Sequence, residues 1–554
     1  MSVVLTIRAR RRRGSRGDLL GSLLGSLLAG LLIAVQGPLP LRAAERLEIR
    51  LDGLQLPLDL RELEAWSRDP QHPHGDVGAW LDLLEPGRRQ ALLRLLRAPL
   101  LRDRSMARQL LESWAGQRLL ASLGGVLSTE QGNAGPMLYR AIGRLLQEQE
   151  QITALELLRA LPSERLTLHL DGLLQLASAW QRQLQEQRLA LQALRTLPLP
   201  QRTPLLPLTD GVALARVQSG TLDAAAVPQQ RLSLAVPHRS LPLQLRLWQP
   251  STPRPGAPWL LLSHGLGGSS AQLEWLAAAL RARGWVVVLV EHPGSDEAAM
   301  RAWLEGRRFP PAAETLPDRV RDLQAVVAAV QNGRLPLLGS SVVLVGHSLG
   351  GLTSLLAAGL RPEPGLARRC DRALEGLPLT NLSRLLQCQL PDVPLPPPQP
   401  LAQPLAAVVS LNGFGSLLWP QRGLQQLRVP VLLIGGSLDL ITPPLSEQLG
   451  LFLPQANPRS RLVLLEGGSH FSPVHIRTDQ RAVFQLGQEF VGVDPGRMQS
   501  LILSLTSDFL QGVSRPGLGG IPRQRRQLGG LTAYVLDRRA ALAWRAAIAP
   551  RATP

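Results

Sequence analysis

The feature that most constrains the fold is a Gly-x-Ser-x-Gly motif placed directly after a short apolar run. The run Val342–Val345 leads into Gly-His-Ser-Leu-Gly at positions 346–350, and a helical pattern of apolar and small residues follows at once. This layout is typical of a strand that turns sharply into a helix and exposes one serine hydroxyl. The turn strains the serine backbone, and side chains at 346 and 350 would collide with the neighbouring strand and helix. We therefore predict that Ser348 is a catalytic nucleophile.

A serine hydroxyl needs a base to remove its proton, and the base needs a carboxylate to orient it. Two later apolar runs end in suitable residues. The run 431–434 leads into a turn that contains Asp439, and the run 461–465 precedes a glycine-rich loop that ends in His470. Because the carboxyl ends of parallel strands meet at one edge of a sheet, we expect these side chains to lie beside Ser348. The predicted order is nucleophile, acid, base.

Other residues near these positions could fill the same roles. His475 is an alternative base, and Glu466 and Asp479 are alternative acids. We prefer His470 because it ends the glycine loop, and Asp439 because Glu466 is too close to His470 along the chain to orient its ring.

A second glycine-rich loop follows another apolar run and fits the same chemistry. Positions 260–268 read Leu-Leu-Leu-Ser-His-Gly-Leu-Gly-Gly. Acyl transfer places negative charge on a carbonyl oxygen, and backbone N–H groups must point at that oxygen. The predicted donors are the N–H groups of Leu266, in this loop, and Leu349, directly after the nucleophile. A phosphate-binding turn is the alternative interpretation, but the pattern Gly-x-Gly-x-x-Gly is absent. This chemistry needs no metal or organic cofactor.

The formal net charge of +18 does not indicate a nucleic-acid partner. Residues 1–44 carry +6 and residues 515–554 carry +7, which leaves +5 for the body of the chain. All basic residues are Arg, which a coding bias explains, and no basic stripe is interleaved with aromatic residues. The basic end allows two interpretations, a solvated terminal segment, which we prefer, and contact with an anionic membrane surface.

The first 44 residues have the form of a signal peptide. A basic head at 8–16 precedes an uncharged apolar stretch, 19–41, and the small residues Ala43 and Ala44. We predict cleavage there and export to the periplasm or the cell exterior. The alternative is an uncleaved membrane anchor, because an uncharged stretch of this length can span a bilayer.

The rest of the chain is predicted to form two domains. Residues 45–170 have a mostly helical pattern after one strand-like segment, and 171–229 form a helix and a Pro-rich linker. From 230 to 512, short apolar runs alternate with helical segments, which predicts an α/β fold whose mostly parallel sheet is covered by helices on both faces. Residues 513–554 are predicted to be a basic C-terminal tail.

A long irregular segment, 361–404, interrupts the second domain. It is rich in Pro, and a loop of this length in a compact domain is usually a lid or a binding loop. It contains Cys370 and Cys388, the only two cysteines of the chain. An even pair in an exported chain suggests one disulfide, and two buried thiols are the alternative.

These motifs resemble the α/β-hydrolase superfamily. The segments 263–268, 291–295, 346–351 and 467–470 are similar to platelet-activating-factor acetylhydrolase-like and dienelactone-hydrolase-like members, over about 230–475. Residues 45–170 resemble a domain of unknown function that precedes such hydrolases in cyanobacterial proteins. The resemblance implies a triad of Ser348, Asp439 and His470. Similar proteins also carry two cysteines in the lid region, which implies a Cys370–Cys388 bridge.

The sequence thus predicts an exported serine hydrolase that cleaves carboxylic esters through an acyl-enzyme. The substrate would be a small-molecule or lipid ester, phospholipid acyl esters included. One alternative is an acyltransferase or lactonase that uses the same triad. The other is a non-catalytic protein of the same fold that binds lipid or the cell envelope. No oligomeric state is predicted.

Overall fold

The computed structural model describes residues 44–548, apart from two long gaps, 203–228 and 476–493, and several short ones. The predicted signal peptide or anchor and most of the predicted linker therefore lie outside the described residues. Within the described part of the chain, no helix is both long and apolar enough to cross a membrane. The short gaps are 52, 72–74, 83–84, 98, 102–107, 110, 131, 150, 337, 376–380, 516 and 518.

The N-terminal domain combines helices with a small sheet. Its described strands are β1 (Arg46–Leu51), β2 (Leu54–Asp59), β3 (Pro99–Leu101), β4 (Leu127–Thr129), β5 (Gly132–Asn133), β6 (Ile152–Thr153) and β7 (Arg165–His169). Its described helices are α1 (Leu60–Arg68), α2 (Gly75–Asp82), α3 (Pro86–Arg97), α4 (Trp114–Val126), α5 (Gly135–Glu148) and α6 (Ala154–Arg159).

Helices hold most of the regular structure of this domain, as predicted, but the sheet is larger than the sequence indicated. Among the described residues, five strands pair in the order β2-β1-β7-β4-β5. The sequence predicted only the first of these strands, β1, in which Leu47 is buried. The other strands have two to six residues, and such short segments are difficult to distinguish from the helical pattern around them.

A long helix, α7 (Leu170–Thr196), leads from the first domain to the second. Its last turns pack into the core of the second domain, where Ala190 and Leu194 are buried. The indole N–H of Trp544 donates to the Ala190 carbonyl at 2.9 Å, which ties the end of the helix to the end of the chain.

The second domain is built on one large sheet. Among the described residues, eleven strands pair in the order β8-β17-β18-β16-β15-β14-β13-β11-β12-β10-β9. The central strands, from β12 to β16, are parallel. On one side β10 and β9 continue the sheet in antiparallel pairs, and on the other side β18 and β17 do so, while the short edge strand β8 pairs with β17 in parallel. The strands are β8 (Gln201–Arg202), β9 (Gln230–Leu234), β10 (Leu243–Trp248), β11 (Trp259–Ser263), β12 (Val287–Val290), β13 (Val342–His347), β14 (Leu405–Leu411), β15 (Val431–Gly436), β16 (Arg461–Leu465), β17 (Gln524–Leu528) and β18 (Leu531–Leu536).

Helices cover both faces of this sheet, so its central strands are buried on both sides. Along β11, Leu261 faces one apolar core, and Leu260 and Leu262 face the other. Near-continuous apolar strands of this kind are typical of parallel sheets, and the predicted fold class is confirmed. The described helices are α8 (Glu274–Ala282), α9 (Glu297–Leu304), α10 (Leu316–Gln331), α11 (Leu349–Ala357), α12 (Leu366–Ala373), α13 (Ser383–Gln387), α14 (Gly450–Phe452), α15 (Pro495–Ser514) and α16 (Arg538–Ile548).

The prediction of a basic tail over 513–554 is wrong. Strands β17 and β18 form a hairpin that pairs with β16 and extends the sheet, and α16 packs beside it. Tyr534 and Trp544 are buried in the core. Arg526, one of the charges that suggested a tail, is fully buried and pairs with Asp508 at 2.7 Å. Strand β18 is a short apolar run, and the Arg residues that precede and follow it suggested a solvated tail.

We expect removal of this C-terminal segment to prevent folding of the second domain. A chain that ends at Ser514 would lose two strands and expose β16 as an unprotected apolar edge, which favours aggregation. Its soluble yield should fall sharply, and its circular dichroism should show no cooperative thermal unfolding transition. A chain that ends at Ile548 is the matched control. A soluble 1–514 chain with cooperative unfolding would contradict the structure of this segment.

Candidate active site

Ser348 lies at the turn between β13 and α11, at the carboxyl edge of the sheet. Its backbone has a φ of 53° and a ψ of −117°, an unfavourable conformation for a residue with a side chain. A side chain at Gly346 would overlap the backbone of Gly350, and one at Gly350 would overlap the carbonyl of Ser263 in β11. The two glycines therefore allow the close approach of strand and helix that the turn requires.

His470 and Asp439 meet Ser348 at this edge. His470 lies in the loop after β16, and its Nε2 atom is 3.0 Å from the Ser348 hydroxyl oxygen. Its Nδ1 atom is 2.9 Å from a carboxylate oxygen of Asp439, which lies in the turn after β15. The three residues whose meeting the sequence predicts are thus brought together in one continuous hydrogen-bonded chain.

Asp439 is completely buried and held by its own turn. Its Oδ1 atom accepts from the N–H groups of Ile441 and Thr442 at 2.9 and 2.8 Å, and the Thr442 hydroxyl donates to Oδ2 at 2.7 Å. Burial alone would raise the pKa of Asp439, but His470 and the donors of Thr442 outweigh it and lower the pKa below its usual value. The carboxylate therefore stays ionised and accepts a hydrogen bond from the Nδ1–H group of His470.

Two further residues hold the backbone of His470. His347 Nε2 donates to the His470 carbonyl at 2.9 Å, and the side-chain amide of Asn412 donates to the same oxygen at 2.9 Å. Neither Asn412 nor Thr442 was predicted from the sequence. The signal that the sequence offers for Asn412 is a polar residue directly after the apolar run of β14. Its φ of 49°, which few residues other than glycine adopt, is apparent only from the structure.

The loop after β11 lies against Ser348. The Gly267 N–H donates to the Ser295 carbonyl at 2.8 Å, which fixes the loop, and Leu266 lines the same cavity as Ser348. Within the part of the chain that the structure describes, the Leu266 and Leu349 N–H groups donate to no acceptor of the protein. Their role as a pair of donors for an oxyanion stays a prediction.

A buried ionic network supports this loop from inside. Arg319, on α10, is fully buried and donates to the His264 carbonyl, to the Ser295 hydroxyl at 2.7 Å and to the Ser263 hydroxyl at 3.2 Å. Burial lowers the pKa of Arg319 to about 9, still high enough for the guanidinium to be charged at neutral pH. Because three of its contacts lie along 263–295, Arg319 fixes the backbone on which Leu266 is carried.

The network continues through a second chain of serine, histidine and aspartate. The Ser263 hydroxyl is 2.8 Å from His292 Nε2, and His292 Nδ1 is 2.8 Å from Asp322. All three side chains are fully buried, so no substrate reaches them. Asp322 also accepts from His238 and Arg239, at 2.7 and 2.6 Å. Burial would raise the pKa of Asp322, but these hydrogen bonds and the one from His292 hold the pKa well below its usual value.

Of the alternative acids and bases, the two that the structure describes, His475 and Glu466, make other contacts. The side chain of His475 is exposed, and its backbone N–H donates to the Gln272 carbonyl. Glu466 accepts from Tyr534 at 2.7 Å and from Arg195 at 3.1 Å, away from His470. Asp479 lies outside the described residues.

The segment 361–404, described apart from 376–380, contains the short helices α12 and α13, and a disulfide joins Cys370 in α12 to Cys388 at the end of α13. This bond agrees with the expectation of one bridge. Residues of this segment line the cavity that contains Ser348, but the role of a lid stays a prediction.

A cavity of about 1020 Å³ opens beside Ser348. In the described residues, no cluster of His, Cys, Asp and Glu side chains is suited to hold a metal ion. The apolar or aromatic residues that line the cavity are Trp114, Ala115, Leu266, Trp303, Phe309, Pro310, Pro311, Ala312, Leu382, Leu385, Leu386, Phe414 and Ile441. The polar ones are Gln109, Glu112, Ser113, Arg307, Arg308, Glu314, Ser348, Ser383 and Gln389.

The fold is that of an α/β hydrolase. Residues 260–485 match the model of an α/β hydrolase family, and residues 43–169 match that of an α/β hydrolase of unknown function, DUF1400. The chain therefore carries α/β-hydrolase family domains, and the matches indicate hydrolytic activity. No curated protein matches the chain. The finer resemblance to platelet-activating-factor acetylhydrolases or dienelactone hydrolases stays a prediction.

Three buried histidines make the stability of the protein depend on pH. Burial, with the nearby Arg319 or His470 charge, lowers the pKa of His264 and His347 to about 3 and that of His292 well below its usual value. In the unfolded chain these groups bind protons below about pH 6.5. Unfolding then takes up protons, so the free energy of unfolding falls as the pH falls below that value.

We therefore expect the urea midpoint to decrease steadily from pH 7 to pH 5, the range in which the histidines of the unfolded chain take up protons. The slope should approach three protons taken up on unfolding, and the variant His264→Gln should reduce it by about one. Gln426→Asn, at an exposed position without a titratable group, is the control and should leave the slope unchanged. A urea midpoint that is constant over this range would contradict the neutral state of these side chains.

Proposed function

We propose that the protein is a serine hydrolase that cleaves carboxylic esters through an acyl-enzyme. The observation that carries the proposal is the 3.0 Å approach of His470 Nε2 to the Ser348 hydroxyl, with ionised Asp439 behind the imidazole. This distance is within the reach of proton transfer. The position at the carboxyl edge of an α/β-hydrolase sheet supports the same assignment.

In the first half of the reaction, Ser348 Oγ attacks the ester carbonyl while His470 Nε2 takes its proton. The carbonyl oxygen becomes an oxyanion, which the N–H groups of Leu266 and Leu349 stabilise. When the tetrahedral intermediate collapses, the bond to the alcohol breaks and His470 returns the proton to the leaving oxygen. The acyl group remains on Ser348.

In the second half, water takes the place of the alcohol. His470 removes a proton from the water, the hydroxide attacks the acyl-enzyme, and Ser348 leaves with the proton that His470 gives back. Asp439 keeps the proton of the resting imidazole on Nδ1 and stabilises the imidazolium that forms in each half. Removal of this carboxylate therefore affects both steps.

The proposed setting is outside the cytoplasm. The Cys370–Cys388 disulfide supports export, because such bonds persist mainly in oxidising compartments. The predicted signal peptide accords with this setting.

Covalent labelling tests the identity of the nucleophile. A fluorophosphonate should label the wild-type protein at Ser348, because an activated serine attacks phosphorus and the adduct is stable. The variant Ser348→Ala should lose both the label and hydrolysis of p-nitrophenyl acetate. Ser354→Ala, another buried serine six residues along the chain, is the control that should keep both. A wild-type protein that neither labels nor cleaves the ester would overturn the proposal.

Asp439→Asn tests the orienting carboxylate. The amide retains an acceptor for the turn but presents N–H to His470 and favours the wrong imidazole tautomer, so we expect kcat to fall by about 10⁴. Thermal unfolding shows whether the variant is folded, and Asp392→Asn, at an exposed position, is the control. If Asp439→Asn retained wild-type kcat, another group would have to orient His470.

A further inference from the structure

The cavity beside Ser348 lies at the junction of the two domains. The N-terminal domain contributes Gln109 and the residues 112–115, at the start of α4, while the hydrolase domain contributes Ser348 and the remaining wall. A cavity of about 1020 Å³ is at the upper end of the range for small-molecule sites, far larger than an acetyl group needs. The space next to the nucleophile is therefore shaped by both domains.

Trp114 attaches the N-terminal wall to the hydrolase domain. Its side chain is partly buried and packs against the apolar core of the second domain. Within its own helix, the Ser113 side chain accepts from the Gly116 N–H at 3.1 Å, and the guanidinium of Arg118 lies 5.3 Å from the centre of the Trp114 ring. These contacts set the indole at a defined place on the cavity wall.

The character of the wall is mainly apolar, and the polar groups on it are largely engaged by the protein. Arg307 pairs with Glu305 at 2.7 Å. Glu314 accepts from the Ala312 N–H at 2.9 Å, and Gln389 accepts from the Ala313 N–H at 3.0 Å. A polar substrate would have to displace these bonds, whereas an apolar chain would leave them intact.

Two large apolar side chains of the cavity remain in contact with solvent. Phe309, which precedes α10, is 52% exposed, and Leu382, which precedes α13, is 38% exposed. Exposed apolar groups next to a cavity mark a site of apolar contact more often than isolated ones do. They provide an apolar path from the surface to the interior.

We infer that this interdomain cavity binds the apolar chain of the ester substrate, with Trp114 of the N-terminal domain as a specificity-determining residue. The inference rests on the proposed hydrolase chemistry and names its substrate class, esters with a medium or long hydrocarbon chain. The N-terminal domain is then part of the substrate site and not a separate module.

Chain-length dependence tests the inference. The value of kcat/KM should rise from p-nitrophenyl acetate to the decanoate, by up to about fourfold for each methylene that is buried. A parallel series of alkyl acetates tells whether the acyl or the alcohol side enters the cavity. A rise in either series supports the inference, and equal values throughout both series overturn it.

Trp114→Ala tests the wall that the N-terminal domain supplies. We compare kcat/KM on a long ester with kcat/KM on the shortest ester of the same series. The long ester is p-nitrophenyl decanoate, or decyl acetate if the alkyl acetate series is the one that responds. The ratio of the two values should fall about tenfold in the variant. Leu123→Ala, an exposed position on the same helix, is the control and should keep the wild-type ratio. A ratio that is unchanged in folded Trp114→Ala would overturn the role of this residue.

Phe309→Ala gives a second measurement that does not depend on the fold of the N-terminal domain. Because Phe309 is exposed, its truncation should leave stability nearly unchanged and still lower the same ratio at least threefold. Leu241→Ala, 70% exposed and outside the cavity, is the matched control. Equal ratios for the two variants would contradict the apolar path.

Binding separates this inference from the proposed function. In a calorimetric titration, the free decanoate anion should bind to the variant Ser348→Ala. Adding Trp114→Ala to that variant should weaken the binding about tenfold. If the wild type cleaves no ester but the binding pattern holds, the chemistry fails and the cavity assignment stands. If short esters are cleaved but decanoate does not bind, the chemistry stands and the cavity assignment fails.

Discussion

The positive φ angle of Ser348 is the constraint on which the rest of the site depends. A non-glycine residue in such a conformation is strained by about 1–3 kcal/mol, so its surroundings must impose it. The Ser348 N–H donates to the Leu411 carbonyl of the adjacent strand at 2.9 Å, and Gly346 and Gly350 let strand and helix close around it. The hydroxyl is thereby directed out of the sheet edge, where His470 meets it.

The surrounding loops are held by buried polar groups that cannot touch substrate. Arg319 holds the loop that carries Leu266, as Asn412 and His347 hold the carbonyl of His470. A charge in such a place is stable only while its partners remain, and removal of one partner is strongly destabilising. The Ser263–His292–Asp322 chain repeats the residue types of the site without access to solvent. Exposure and backbone geometry therefore distinguish the two, and hydrogen bonding alone does not.

The sequence was sufficient to select the three residues of the site because each follows a recognisable apolar strand, and parallel strands end at one edge. Arg319 could not be selected in this way, since its role depends on distant carbonyl groups that only the fold brings near. The apolar run of β18 was overlooked because Arg residues flank it, and one of these, Arg526, is buried against Asp508. A buried ion pair leaves no hydrophobic pattern in the sequence, so the sequence prediction ended the second domain too early, at residue 512.

The two domains also have to be considered together. Trp114, which packs against the core of the second domain, is at the same time a wall of the cavity beside Ser348. A shift of α4 would therefore change the space next to Ser348 without altering Ser348 or its partners. In the proposed reaction, this arrangement separates reactivity from selectivity. The sheet edge fixes the atoms proposed to react, whereas the packing between domains sets the size and polarity of the space that the proposed substrate would fill.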